Sequence, residues 1–580
     1  MEGKPFVRNG KTLLSGIDPV RRAERTADAV SLRDNTLYFC PSPLYCYGIE
    51  RLLSRLEKEA PNSAVLCVEA DPELFNLTLE NIPSLIADSK NLHITNICKA
   101  SELAALVNKM WSAKAIRRIE TIRFTGGCQL FPEIYGSIYD TLCREIAVNW
   151  SNALTMTKLG RLYIRNLFRN LALVPHFPSI TQLSFGDDPV LVLGAGPSLD
   201  ETLDAVCKEH LTKNKEQRTR TEGSENREQS TDNAGRAADK NVSRTFKIIC
   251  VDTCLRALKD RGIVPDLVVI LESQHWNLRD FTGCRGWNVS AAVDLSALPA
   301  SARLLGGKDS KHPKGFLFFT PWTQLRVFER LKKAGLLSSA IPPLGSVGLT
   351  AVELARRLTK GKIICAGLDF SFTADKYHAR STPGHRSLLK TQTRFRRIFN
   401  AAVFSSGVFS VVSKSGVSVY CNPIMKNYRD LFEREFADDE RLRDIEGTGL
   451  SLGIKTITIK EAIEILENKN FNHEPTQTNT NQCSNAEQYV RGVSVVSGKN
   501  PELNNFFQKE KKHLKELRNI LTGDIAPDKN RLNILNDECD YLWAHFPDCT
   551  GGRHPGLEDI SFLKRVRTEI DPMLKLMEWN

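Results

Sequence analysis

The sequence predicts an α/β protein: a central Rossmann-like domain, a smaller Rossmann-like domain ahead of it and a helical module behind it. Three observations carry that reading. Strand-length apolar runs alternate with helical patterns through the middle of the chain, as an open, largely parallel sheet requires. A weaker copy of the alternation fills the first 110 residues, and beyond residue 500 only helical periodicity remains.

At roughly 150 residues per domain, a chain of 580 has room for three or four. A composition 41% hydrophobic and 25% charged excludes wholesale disorder. Lys and Arg (79) outnumber Asp and Glu (68), and the net charge of +11 suits an anionic substrate. It is too small to argue for nucleic acid. Nothing approaches the ~18 apolar residues of a membrane span, and Met1–Gly10 lacks a signal-peptide core. The 15 cysteines include no CxxC pair, so a cytoplasmic chain with reduced thiols is expected, without structural zinc or disulfides.

In chain order, Thr36–Phe39 and Ala64–Val68 read as buried strands around a Tyr47–Lys58 helix. Their turn, Cys40-Pro41-Ser42-Pro43, has no glycine before Gly48, so the backbone cannot closely approach a pyrophosphate. Residues 1–149 are expected to be a structural Rossmann-like domain. A helix over Trp150–Val174 opens the central domain, 150–471, and sets Lys158, Arg161, Arg165 and Arg169 on one face. That stripe is either a solvated surface or the rim of an anion site. Strands follow at Pro189–Leu193, Phe246–Val251, Leu267–Leu271, Val289–Val293, Phe316–Phe319 and Ile363–Ala366, with a helix at Leu349–Leu358. Residues 208–245 are polar enough for a mobile insertion, and 472–485 read as an interdomain linker. In the helical module, 486–580, Pro501–Leu521 is capped by Asn500 and stopped at Gly523. Leu532, Leu535, Cys539, Leu542 and Phe546 repeat as a buried helical seam, and Ile560–Trp579 forms a last helix kinked or split at Pro572.

The chemistry gathers after the strand ending at Leu193. It runs into Gly194-Ala195-Gly196-Pro197-Ser198, and a helix begins at Ser198. The glycines permit a tight turn and close approach, and the helix start offers unpaired N–H groups to an anion. Ser198 and Glu201 also spell a capping box, so the hydroxyl either caps the helix or bonds a phosphate oxygen. With the insertion set aside, Asp252 follows Gly194 by about 20 residues, the interval to a ribose-binding acid. Leu199 stands where a dinucleotide fingerprint has its third glycine, which points to a nucleotide other than NAD.

The same strand edge collects Glu272, Gly345-Ser346-Val347-Gly348 before a helix, and Asp369. Then come His378 and the basic stretch Arg380, His385, Arg386, Lys390, Arg394, Arg396 and Arg397. His378 is the candidate for acid–base work because imidazole titrates near neutrality; the plainer alternative is a surface-loop histidine. Asp369, Asp375, His378 and His385 match no common metal-ligand spacing, so no metal site is expected.

Taken together, ten stretches resemble one family. They are Ser15–Pro19, Val68–Pro72, GRLYIRNLFRNLAL at 160–173, GAGPSL at 194–199, CVDTCLRAL at 250–258 and GIVPDLVVILES at 262–273. GSV at 345–347, AGLDFSF at 366–372, YHA at 377–379 and EGTGLSLGI at 446–454 complete the set. In this order they resemble the motility accessory factor (Maf) family of flagellin-modifying glycosyltransferases. Its superfamily includes an archaeal 6-hydroxymethylpterin diphosphokinase. This chain has Glu272 where the family usually has Asp, and Leu368 where it has Gln.

The resemblance implies a sialyltransferase-like central domain that moves a nonulosonic acid (pseudaminic, legionaminic or sialic) from CMP to Ser or Thr of flagellin. The reaction would serve flagellar assembly and motility, and the C-terminal helices are a candidate flagellin-recognition module. On the matching residues, Gly194–Ser198, Gly345 and Ser346 would bind phosphate, and Asp252 and Glu272 the ribose or base. His378 would move the proton, with Asp369 and Glu272 beside it, and Arg380 and Arg386 would stabilise the departing CMP. The CMP-sugar is the donor substrate, no further cofactor is implied, and the role of a divalent metal is open. Two alternatives remain: a 6-hydroxymethylpterin-type pyrophosphokinase using ATP, and a non-enzymatic flagellin-binding assembly factor.

Overall fold

A computed structural model describes residues 5–87, 89–111, 116–207, 244–305, 315–323, 325–395, 397, 403–467, 500–523, 528–549 and 556–578. The chain divides into two compact units. One is Met1–Arg161 with Arg518–Ile570, the other Leu162–Leu517 with Asp571–Asn580.

The first unit holds a parallel sheet in the order Leu92–Thr95, Ala64–Val68, Thr36–Pro41, Arg118–Thr121. The two central strands are buried along their whole length, which is why they read as unbroken apolar runs. The helix between them, Ile49–Glu59, buries Ile49, Leu52, Leu53 and Leu56. Beyond the strand Thr36–Pro41, the edge is filled by the protein itself. The Ser42 hydroxyl donates to Glu69 at 2.7 Å and the Tyr135 hydroxyl to the same carboxylate at 3.3 Å, all three side chains being buried.

The C-terminal seam differs from its reading. Leu532, Leu535, Cys539, Leu542 and Phe546 are all buried, but the helix Lys529–Glu538 gives way to a 3-10 turn at Asp540–Leu542. The seam is therefore a bent one. Ile560–Glu578 forms a single helix that includes Pro572.

The second unit carries an eight-stranded parallel sheet. Its order is Gly315–Phe318, Ala291–Asp294, Leu267–Ile270, Lys247–Val251, Val190–Leu193, Ile363–Ala366, Leu442–Ile445, Thr456–Ile457. Six of these strands lie where the apolar runs put them; the last two were not read from the sequence. Starting at Val190–Leu193 the chain builds outward on one side, then returns to Ile363–Ala366 on the other. The order reverses between those two strands, and in open α/β sheets ligands bind at the carboxyl ends beside such a point.

One helix, Pro132–Asn170, runs unbroken through residue 150, where the Trp150–Val174 helix was expected to open the central domain. The span 208–243 and the linker 472–485 lie outside the described residues. The last two residues of the expected insertion are anchored: Arg244 pairs with Asp266 at 3.0 Å, and the Thr245 hydroxyl donates to the Leu466 carbonyl at 2.9 Å. Among the described residues no cysteine is in a disulfide, and no helix is long and apolar enough to cross a membrane.

Candidate functional site

The strand Val190–Leu193 ends in the Gly194–Ser198 loop, and the next helix begins at residue 199. Three of the loop's amides donate inside the protein. Gly194 N–H donates to the Ala366 carbonyl and Gly196 N–H to that of Gly367, both at 2.8 Å. Pro197 has no N–H. Ser198 N–H donates to Asp369 Oδ2 at 2.7 Å, and the Ser198 hydroxyl to Asp369 Oδ1 at 2.5 Å. A Cβ on Gly196 would stand 2.5 Å from the Asp369 carboxylate, so only glycine admits that acid.

These bonds tell against the phosphate-cradle reading of 194–198 and give Ser198 a task outside both of its readings. The anion at this helix start is the protein's own Asp369. A carboxylate only 2% exposed must find donors, and the adjacent loop supplies them. Burial pushes the Asp369 carboxyl up, opposed by the Ser198 hydroxyl and amide and by the charges of Lys414 and Lys376.

The helix that follows holds His378 in place through Asp200. That buried carboxylate accepts the Arg380 amide at 3.0 Å, Lys376 Nζ at 3.2 Å and Arg261 Nη2 at 3.2 Å. Ala379 N–H adds a bond to the Ala195 carbonyl at 3.0 Å. The 376–380 loop is thereby tied to the Gly194–Ser198 loop, with His378 between its anchors. Burial and then Arg279 hold the His378 imidazole down at about 4. It is neutral at physiological pH and able to accept a proton. The Arg380 side chain is 71% exposed, and Arg386 is exposed on the helix Pro383–Thr391. His385, read as part of the basic stretch, is instead buried in that helix's first turn, and burial lowers its pKa. Arg396 lies outside the described residues.

A second helix start is open. Ser346 is the N-cap of Val347–Leu358, and its side chain makes no capping bond. The first intrahelical donor is Thr350 N–H, to the Ser346 carbonyl at 3.0 Å. The preceding amides keep the anion-facing character of an uncapped start. Gly345 adopts φ +68°, and Tyr428 lies 3.1 Å from where its Cβ would be. The two starts are neighbours: a Cβ on Gly194 or on Gly348 would meet the same Leu368 methyl at 2.7 Å.

The acids come next. Asp252 ends its strand as expected but turns inward. It is 3% exposed and takes the Thr253 amide at 2.8 Å, while the Thr253 hydroxyl reaches Asp280 at 3.4 Å. Burial and then Asp280 push Asp252 up to about 7. Its assigned task of holding a ribose from the cleft is corrected, because its carboxylate is spent on the turn. Glu272 is the exposed acid of this edge. Its charge acts on Tyr163, Tyr428 and Asp280. Among the described residues no three His, Cys, Asp or Glu gather to hold a metal ion.

Sequence reasoning missed several members. Arg279 and Asp280 follow Glu272 in a turn that carried no motif. Asn166 and Asn170, one helical turn apart, each donate twice to strand-end carbonyls: Ser273 and Ser296, then Leu295 and Ala297, at 2.8–3.0 Å. A signal existed, since asparagine is a poor choice at a buried helix position unless its amide has work there.

Comparison with known proteins agrees with the central motifs. Residues 239–375 match the family model described as 6-hydroxymethylpterin diphosphokinase MptE-like, a span that takes in CVDTCLRAL, GIVPDLVVILES, GSV and AGLDFSF. The superfamily resemblance drawn from those motifs therefore stands. An uncharacterized protein of Treponema pallidum (strain Nichols) is 28% identical over 568 residues, covering 96% of this chain and 90% of its own. The solved Maf glycosyltransferase of Magnetospirillum magneticum AMB-1 aligns with 100% of this chain and 85% of its own, at 14% identity and a TM-score of 0.49.

Proposed function

We propose that the protein transfers a group from a nucleotide-activated donor to an acceptor hydroxyl, the donor being a CMP-activated nonulosonic acid and the acceptor Ser or Thr of flagellin. One observation carries the reading: His378, an imidazole held neutral, is clamped to the Gly194–Ser198 loop, whose neighbour across Leu368 is the uncapped helix start at Ser346. The pairing supplies a base and an anion site on one edge.

In the proposed step the acceptor oxygen attacks the anomeric carbon while the bond from that carbon to the phosphate oxygen breaks. His378 takes the acceptor proton. The electron pair leaves with CMP, whose phosphate rests on the Val347–Leu358 helix start and the Ser346 hydroxyl. Arg380 and Arg386, exposed on the rim, add positive charge. Glu272, exposed on the same edge, is assigned to the ribose or base. The donor carries a phosphodiester and a carboxylate, which accords with the basic rim.

The MptE-like match favours a second reading, pyrophosphoryl transfer from ATP to a hydroxymethyl group. It uses the same base and anion site but breaks a P–O bond instead. Thermal stabilisation of the full-length protein by CMP and not ATP is expected; the reverse would select the second reading. The acceptor is tested by the intact mass of flagellin from strains with and without the gene. A difference of one nonulosonic-acid residue per site is expected, absent again in His378→Ala. Unmodified flagellin in every strain would overturn the acceptor assignment and leave a binding protein.

A further inference from the structure

A second set of groups lies along the same edge, at the ends of the strands Ala291–Asp294 and Gly315–Phe318. Asp294 is fully buried. Its Oδ1 takes the Ser296 amide at 2.6 Å and the Ser296 hydroxyl at 2.5 Å. Its carboxyl also faces the Thr320 hydroxyl and amide, but its Oδ2 closes no well-formed hydrogen bond there, and the Trp322 indole N–H completes none with the described protein. Buried polar atoms left this way are uncommon and call for an explanation.

Above this floor stand aromatic walls. The Tyr163 and Trp322 ring centroids are 5.4 Å apart at 46°, and both rings are half-buried. Tyr428, also half-buried, lines Gly345. Tyr163 feels the charges of Glu272, Asp294 and Tyr428 and its hydroxyl meets the Ser273 side chain, so the walls lie near the floor. Burial and then Glu272 push Tyr163 up to about 12, which keeps its hydroxyl a neutral donor.

We propose that Tyr163, Trp322 and Tyr428, over a floor of Asp294 and Thr320, form a subsite for the polyhydroxylated part of the transferred group. The inference rests on the donor reading above and adds where the sugar lies. An indole N–H needs an acceptor and a carboxyl oxygen needs a donor; sugar hydroxyls supply both. Tilted rings suit the C–H faces of a polyol. A flat heterocycle would call for parallel walls, and 46° does not give them.

The test is calorimetric titration of the full-length protein with CMP and with CMP-N-acetylneuraminic acid. The wild type is compared with Trp322→Ala and with the near-isosteric Asp294→Asn. Both variants should bind CMP within twofold of wild type but lose about tenfold in affinity for the CMP-sugar. CMP-sugar binding equal to wild type in both variants overturns the subsite while the nucleotide site survives. So does a wild type that binds the CMP-sugar no more tightly than CMP. If the wild type binds neither ligand, the donor reading fails and takes this subsite with it. Unchanged CMP binding separates a local effect in either variant from misfolding.

Discussion

Two helix starts flank Leu368 at the sheet's switch point, and they have opposite fates. The one after Gly194–Ser198 has the stronger phosphate-loop spelling, yet it is closed: Asp369 takes the Ser198 amide and hydroxyl. The one after Gly345-Ser346 has the plainer spelling and is uncapped. A glycine loop says only that something approaches the backbone closely. Here the visitor at the first loop is a carboxylate from the neighbouring strand, and the loop's further task is to hold the 376–380 segment through Asp200 and Ala195. On the proposed function, the closed start positions the base and the open start takes the ligand.

The hardest test of that division is His378→Ala. Transfer should fall by about 10²–10⁴-fold in kcat, while CMP affinity at the open start stays as in wild type. An equal loss of nucleotide binding would show the two starts to be one site. Next comes Asp369→Ala, which should cost about 3 kcal/mol in denaturant unfolding, since it strands two donors that a buried charge had satisfied. A stability equal to wild type would mean that the first start is not held closed by Asp369.

The serines sharpen the contrast in crossed form. Ser346→Ala should weaken CMP binding about tenfold with little change in stability. Ser198→Ala should leave CMP binding alone and lower stability by about 1–2 kcal/mol. The opposite pattern would return the anion to the Gly194–Ser198 loop.

The sheet was legible because parallel strands buried on both faces, such as Val190–Leu193 and Ile363–Ala366, spell unbroken apolar runs. The last two strands hide: Leu442–Ile445 carries Arg443 and Asp444, and the edge strand Thr456–Ile457 is only two residues long. At the site, His378, Ser346 and Glu272 could be located from motifs, because each sits where a strand or loop meets a helix. What the motifs did not show was direction. Whether Ser198 faces a ligand or Asp369 depends on a partner 171 residues away. Asp252 likewise turns inward because Thr253 and Asp280 receive it, and no spacing rule encodes a turn's interior.

Asp252 gives the smallest and last test, and it compares two buried acids of one edge. Asp369 has Lys414 and Lys376 to offset its burial, whereas Asp252 has another acid, Asp280, and rises from 3.8 to about 7. A carboxyl whose pKa is higher folded than unfolded favours the fold fully below pH 3.8. That advantage is lost as pH climbs through about 7. Asn cannot ionise, so Asp252→Asn should gain on the wild type as pH rises. Melting temperatures at pH values of about 5 and about 8, on either side of that pKa, should differ by a few degrees more in the variant's favour at the higher pH. The same comparison with Asp369→Asn should show a smaller pH dependence, because cations already share that charge. If the Asp252→Asn difference is flat with pH, a counter-charge reaches Asp252 too, and the two acids are not the contrasting pair their surroundings make them.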